Sequence, residues 1–172
     1  MTNARVPIIT FVYRDTDIDI SFCQLNQETV PRDIERVITN DLVESITDEK
    51  SQTSLLGRKN NLMILELTGK QIENFKETLR VVKVWAKTRG ISSNGMGYLG
   101  GISWAILVAK ICQIFPQHKP MQLLREFFLI YSMWSWKTMP LTIMKCKYKE
   151  TAKNIMCIIT PGSVYNSTER VN

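Results

Sequence analysis

Five glycines occupy the twelve positions 90–101 and stand between two segments of helical pattern, and this break constrains the fold more than any other feature of the chain. Before it, Ile72, Phe75, Leu79, Val82 and Ala86 recur at helical intervals until Gly90 supplies a stop. Thr68 with Gln71 has the spacing of a capping box and predicts where that helix starts. After it, an apolar helix is predicted from about Ile102 to Phe115, ended by Pro116, and a third helix from Pro120 through Leu123, Leu124, Phe127, Phe128 and Tyr131. So many glycines in so short a span imply tight turns or close backbone approach.

The break also collects charge. Arg80, Lys83 and Lys87 fall in the C-terminal half of the first helix and Arg89 just past it, where cations suit the helix dipole. Cations, a loop of unobstructed backbone amides and a fresh helix start can together surround a phosphate-bearing ligand. The plainer reading, a helix end decorated with lysines and capped by Gly90, has equal standing on these residues alone. The whole chain, with 22 Lys and Arg against 16 Asp and Glu and a net charge of +6, suits a nucleotide or nucleic-acid partner without requiring one.

Toward the N-terminus, residues 6–13 and 17–23 are β-rich runs joined by Arg14, Asp15 and Thr16, the length and chemistry of a hairpin connection. In the second run Ile18, Ile20 and Phe22 share one face and Asp17, Asp19 and Ser21 the other. Two carboxylates on one strand face can reach one hard cation, although an isolated Asp-x-Asp is more often a solvated strand face. Residues 32–66 mix charge with apolar residues. Helical spacing is only suggested there at Ile34, Val37, Ile38 and Leu42, and Gly57 to Asn61 reads as a loop. A short β-like run covers Ile155 to Ile159.

Other chemistry is disfavoured by spacing. Cysteines at 23, 112, 146 and 157 form no Cys-x-x-Cys pair and His118 is the lone histidine, so zinc and Cys-His or Ser-His-Asp catalysis are poorly served. Trp104 reads as core more readily than as a base-stacking platform, and the same question applies to Tyr131, Trp134 and Trp136. Asn166-Ser167-Thr168 fits a glycosylation sequon. The apolar stretches are shorter than a bilayer span and no leader pattern opens the chain, which reads as intracellular, soluble and without a membrane partner. The length of 172 residues, 44% hydrophobic and 22% charged, allows one core, or one full domain with part of another.

Several segments in order resemble the eukaryotic nuclear poly(A) polymerases, of the polymerase-β-like nucleotidyltransferase superfamily. They are ARVPII followed by DIDISF, VP at 30–31, SLLG at 54–57, the long run from Phe75 to Pro116, FFLIYSMWSW, and MCIITP with NST. The resemblance implies an α+β fold, in which residues 1–27 form the end of a nucleotidyltransferase palm as a short hairpin and residues 28–172 a mainly helical central domain. It further implies a nuclear enzyme that adds AMP from ATP to RNA 3′ ends during mRNA polyadenylation, with magnesium or manganese as cofactor and mRNA 3′-processing factors as partners. By this match Asp19 is the catalytic, metal-linked third carboxylate. Lys83 contacts the ATP phosphates, Asn94 the nucleotide, and Gly101 with Ile102 forms the wall beside the adenine, with Ser92 and Lys87 as further nucleotide-binding candidates.

The chain departs from the family pattern where Ser92 replaces a phosphate-contacting tyrosine, and where Lys145 to Asn154 shortens a longer loop. The family's first two carboxylates, on an Asp-x-Asp strand, have no counterpart among the matched segments, so the isolated chain is expected to be nearly inactive. The alternatives are a non-catalytic remnant or split half that binds nucleotide, RNA or a protein partner, and, less favoured, a uridylyltransferase.

Overall fold

The computed structural model describes residues 6, 8–33, 38–92, 94–144 and 156–162, and within them the chain divides into two compact units, residues 1–62 and 63–172. The division between the units falls inside a helix. The fold is α+β, a two-stranded antiparallel hairpin followed by helices.

In the first unit the hairpin consists of β1 (Ile8–Tyr13) and β2 (Thr16–Ser21), with Ile8 opposite Ser21, Thr10 opposite Asp19 and Tyr13 opposite Thr16. The connection is therefore two residues, Arg14 and Asp15, rather than the three expected. Both adopt left-handed conformations, with φ of 48° and 60°, which match the twist of a two-residue hairpin. The Arg14 guanidinium lies 5.3 Å from the centre of the Tyr13 ring, a cation–π contact beside the strained turn.

Next come α1 (Asn40–Ser45), capped by the Thr39 hydroxyl accepting from the Leu42 N–H at 3.2 Å, and α2 (Glu49–Thr68). Asp48 accepts from the Ser51 N–H at 2.7 Å at the start of α2, and hydrogen bonding from the Ser51 side chain first, then from its backbone, holds the carboxyl below the usual carboxylate range. Leu42, Val43, Ile46 and Leu55 form a small core with Cys23, Leu25, Ile38 and Leu56 packed around it.

The structure corrects the loop expected at Gly57 to Asn61, because α2 runs straight through it. Lys59 and Asn60, whose polarity suggested a loop, are buried, and the Lys59 ammonium donates to the Asn40 side-chain oxygen. Tertiary contacts outweigh a weak local pattern here.

The second unit is organised on one helix. α4 (Gly101–Ile114) buries Ser103 through Ala109, Ile111 and Cys112, so it is apolar on every side and surrounded. α3 (Ile72–Thr88) and α5 (Pro120–Met133) pack on it and on each other, contributing Phe75, Val82, Ala86, Leu123 and Phe127. Tyr131, Trp134 and Trp136 make structural hydrogen bonds: the Tyr131 hydroxyl donates to Leu107 O at 2.6 Å, Trp134 Nε1 to Met139 O at 2.9 Å and Trp136 Nε1 to Tyr131 O at 3.2 Å. The expected strand in the tail is reduced to a parallel bridge between Leu141 and Ile158, while Ile155, Lys145 to Asn154 and the sequon lie outside the described residues.

The capping box at Thr68 is also corrected. Thr68 is the last residue of α2, its hydroxyl donating back to Leu65 O at 2.7 Å, and Gly69 at φ 55° turns the chain into a short 3₁₀ stretch, Gly69–Gln71, before α3. Gln71 makes no bond to the backbone of the helix start; its Nε2 donates to Phe115 O at 3.2 Å and its Oε1 accepts from Asn74 Nδ2 at 2.9 Å.

The stop at Gly90 is a Schellman motif. With Gly90 at φ 71°, its N–H reaches Lys87 O at 3.1 Å and the Ile91 N–H reaches Ala86 O at 2.9 Å. A Cβ at Gly90 would meet nothing within 4 Å, so Gly90→Ala is opposed by backbone conformation alone. We expect a loss of roughly 1–2 kcal/mol in urea unfolding. Leu123→Ala, at a fully buried site, should lose about 2–5 kcal/mol in the same measurement.

Candidate functional site

The amphipathic pattern of α3 turns Phe75, Thr78, Val82 and Ala86 inward, which leaves Arg80, Lys83 and Lys87 exposed along the outside. Acidic residues sit at the other end of the helix, where Glu73 pairs with Lys76 at 2.7 Å and is held below its usual carboxylate range by that contact. The cations therefore gather toward the glycine-rich loop. Ser92 is exposed just beyond the Schellman motif, and Asn94 opens a single 3₁₀ turn, Asn94–Met96, its side chain lying outside what the structure describes. Gly97, at φ 94°, redirects the chain toward α4.

Gly100 is the N-cap of α4 and gives its first turn no side-chain cap. The first backbone N–H groups of a helix have no intrahelical partner and carry its positive partial charge. A Cβ built on Gly101 would stand 3.8 Å from Lys83 Nζ, so the ammonium lies over that turn. Two positive features of different kinds, a full charge and a helix end, thus face the same space, and an anion placed there would gain from both. Ile102, half-buried, follows directly as an aliphatic surface. The loop is held in place by Trp104, whose Nε1 donates to Leu99 O at 3.1 Å and whose ring meets Trp85 edge-on with centroids 6.2 Å apart. Trp104 is 7% exposed and serves as core rather than as a base platform.

The carboxylate belongs to the first unit. Asp19 is exposed on β2, and one of its oxygens accepts from the hydroxyl of its cross-strand neighbour Thr10 at 2.8 Å. That bond fixes the carboxylate relative to the strand, and Asp17 stands two residues away on the same face opposite Val12. Thr10 went unnoticed in the sequence because a three-residue loop gives the wrong register. A two-residue loop at Arg14 and Asp15 would have paired 10 with 19.

Asp19 has the hard oxygen chemistry of a magnesium or manganese ligand, but among the described residues no group of three His, Cys, Asp or Glu could hold a metal ion. Among the site residues, the structure brings together Lys83 and Gly101, with Ile102 next in the same turn. Lys87 lies one helical turn beyond Lys83 and Ser92 at the far end of the loop. Among the described residues no helix is long and apolar enough to cross a membrane.

Residues 1–68 match the poly(A) polymerase nucleotidyltransferase domain and residues 74–169 the poly(A) polymerase central domain. A poly(A) polymerase of Dictyostelium discoideum is 39% identical over 184 aligned positions, covering 99% of this chain and 22% of that protein. Nuclear poly(A) polymerase 2 of Arabidopsis thaliana is 37% identical, covering 87% of this chain and 18% of its own length, and nuclear poly(A) polymerase 1 of the same plant is 35% identical, covering 97% and 25%. The chain spans about a fifth to a quarter of the length of these relatives.

A buried thiol lies toward the other end of α4. Cys112, 2% exposed on α4, has its pKa pushed from 9.0 to about 11 by burial, and Tyr131 is raised by burial and by the neighbouring Cys112. A group whose folded pKa is raised stabilises the fold below its unfolded value and loses that contribution as pH climbs to the folded one. Urea midpoints should therefore hold up to about pH 9 and fall between 9 and 11, less steeply in Cys112→Ala. Equal slopes in the two proteins would rule out this thiol as the cause.

Proposed function

Since this chain belongs to the poly(A) polymerase family, we propose that it forms part of an adenylyltransferase that extends RNA 3′ ends with AMP from ATP without a template. The observation that carries this reading is the Lys83 ammonium set over the uncapped first turn of α4 at the end of a glycine-rich loop. A nucleoside triphosphate meets that arrangement with its anionic end.

In this reading Lys83 neutralises the triphosphate as a point charge and the first-turn amides of α4 orient it. Gly101 lets the base approach the backbone, Ile102 gives it an apolar surface, and Asn94 adds a polar contact. Lys87 extends the positive field by one helical turn. Ser92, shorter than the family's tyrosine by a whole ring, reaches a phosphate oxygen only through water. Asp19, its carboxylate aimed by Thr10, supplies one oxygen ligand to magnesium or manganese, within the end of the palm that residues 1–27 contribute. When bound, the cation lowers the cost of charge developing on the phosphate oxygens and the attacking 3′ hydroxyl. The remaining carboxylates come from the Asp-x-Asp strand of a nucleotidyltransferase domain. The names of the Arabidopsis relatives support the nucleus as the place of action. Partnership with mRNA 3′-processing factors is part of the same proposal.

Ser92 and the lysine-rich stretch from Lys145 to Asn154 favour a second reading, in which the chain retains nucleotide or RNA binding without catalysis.

Calorimetry of the 172-residue polypeptide with ATP, the other nucleotides and adenosine tests the nucleotide wall. ATP should bind more tightly than adenosine, and Lys83→Ala should weaken ATP roughly tenfold or more while leaving adenosine unchanged. Equal binding of ATP and adenosine would overturn the assignment. In a longer polypeptide that includes an Asp-x-Asp strand, Asp19→Ala should lower AMP incorporation by about a thousandfold or more. Incorporation untouched by that change supports the second reading for Asp19, and a preference for UTP rejects adenylyl transfer.

A further inference from the structure

At the opposite end of α4 from Lys83, about 18 Å along the helix axis, a cleft of about 510 Å³ opens within the second unit. Its volume lies in the range of small-molecule sites and exceeds what a free amino acid or a bare anion needs. Its polar lining is one-sided in two respects. The charged residues lining it are Lys70 and Lys119, both exposed, and among the described residues neither has an ion-pair partner, while no carboxylate lines the cleft.

Two of the carboxamides lining it, Gln113 and Asn74, have committed their donors elsewhere, while Gln117 is exposed at its edge. Gln113 Nε2 donates to Leu67 O at 3.4 Å and Ile143 O at 2.8 Å, and Asn74 Nδ2 donates to Gln71 Oε1 at 2.9 Å and His118 O at 3.3 Å. The Thr68 hydroxyl proton is likewise taken by Leu65 O. What these side chains retain is acceptor oxygen, next to the last turn of α4, whose carbonyl end carries negative partial charge. A ligand that fits combines hydrogen-bond donors for these oxygens with an anion for the two lysines.

We propose that this cleft binds a nucleoside monophosphate whose base carries an exocyclic amine. The amine meets the oxygens of Asn74 and Gln113, and the phosphate meets Lys70 and Lys119. The site is independent of the nucleotide wall at Lys83 and does not rest on it.

The test uses the full chain labelled with ¹⁵N and carrying Lys83→Ala, so that the first wall is disabled. Titration with AMP should shift the side-chain amide resonances of Asn74 and Gln113 saturably. Inosine monophosphate, with a carbonyl in place of the amine, and adenosine, without phosphate, should bind at least tenfold more weakly. Lys70→Ala with Lys119→Ala should remove the advantage of AMP over adenosine at unchanged thermal stability, since both side chains are exposed and the Lys119 backbone N–H that bonds Gln122 at the start of α5 is kept. Absence of shifts, equal response to AMP and inosine monophosphate, an equal effect of inorganic phosphate, or a double variant that binds AMP normally would each overturn the proposal.

Discussion

The enclosure of α4 is the constraint on which the second unit depends. A helix apolar on all sides has no face to give to water, so every neighbouring element must be placed to cover it. α3 and α5 cover it with Phe75, Val82, Ala86, Leu123 and Phe127, and three polar side chains then tie its surroundings to specific backbone atoms. Tyr131 reaches Leu107 O on the helix itself, Trp104 reaches back to Leu99 O before it, and Gln113 reaches both Leu67 O and Ile143 O. Buried donors left unpaired would each destabilise by about 1–3 kcal/mol, so these bonds select one arrangement among the many that would merely hide apolar surface.

The same constraint produces the two chemically different ends of the helix. Its N-terminus is entered through glycines and faces Lys83, so its positive end is open to an anion. Its C-terminus is bordered by Asn74 and Gln113, whose amide donors are occupied. Polarity in this unit is concentrated at those ends because the length between them is core.

Legibility in the sequence followed from how much of an element's signal is local. α3, α4 and α5 could be read because a periodic apolar face, a glycine stop at Gly90 and a proline start at Pro120 lie within each element's own residues. α2 could not, since Gly57 and the polar residues after it argue for a loop, and the reason they are helical lies in a partner nineteen residues earlier, Asn40 bonding Lys59. Thr68 misled because a helix end and a helix start share the same preferred residues, and only the left-handed Gly69 tells them apart. At the site, the cations and glycines were visible as composition, and family resemblance assigned them roles. The proximity of Lys83 to Gly101 and the bond from Thr10 to Asp19 depend on helix packing and strand register, which no spacing rule within one segment contains.

The Schellman motif at Gly90 and the bond from Trp104 to Leu99 O fix both margins of the glycine-rich loop. A loop clamped at both margins has a set length, whatever side chains it carries. Substitution away from the left-handed Gly90 and Gly97 is then structurally cheap, while insertion or deletion of a single residue would pull Ile91 from Ala86 or Leu99 from Trp104. Sequence drift in this segment is therefore channelled into side-chain identity, and a serine at position 92 is the kind of change such a frame absorbs without altering the fold around it.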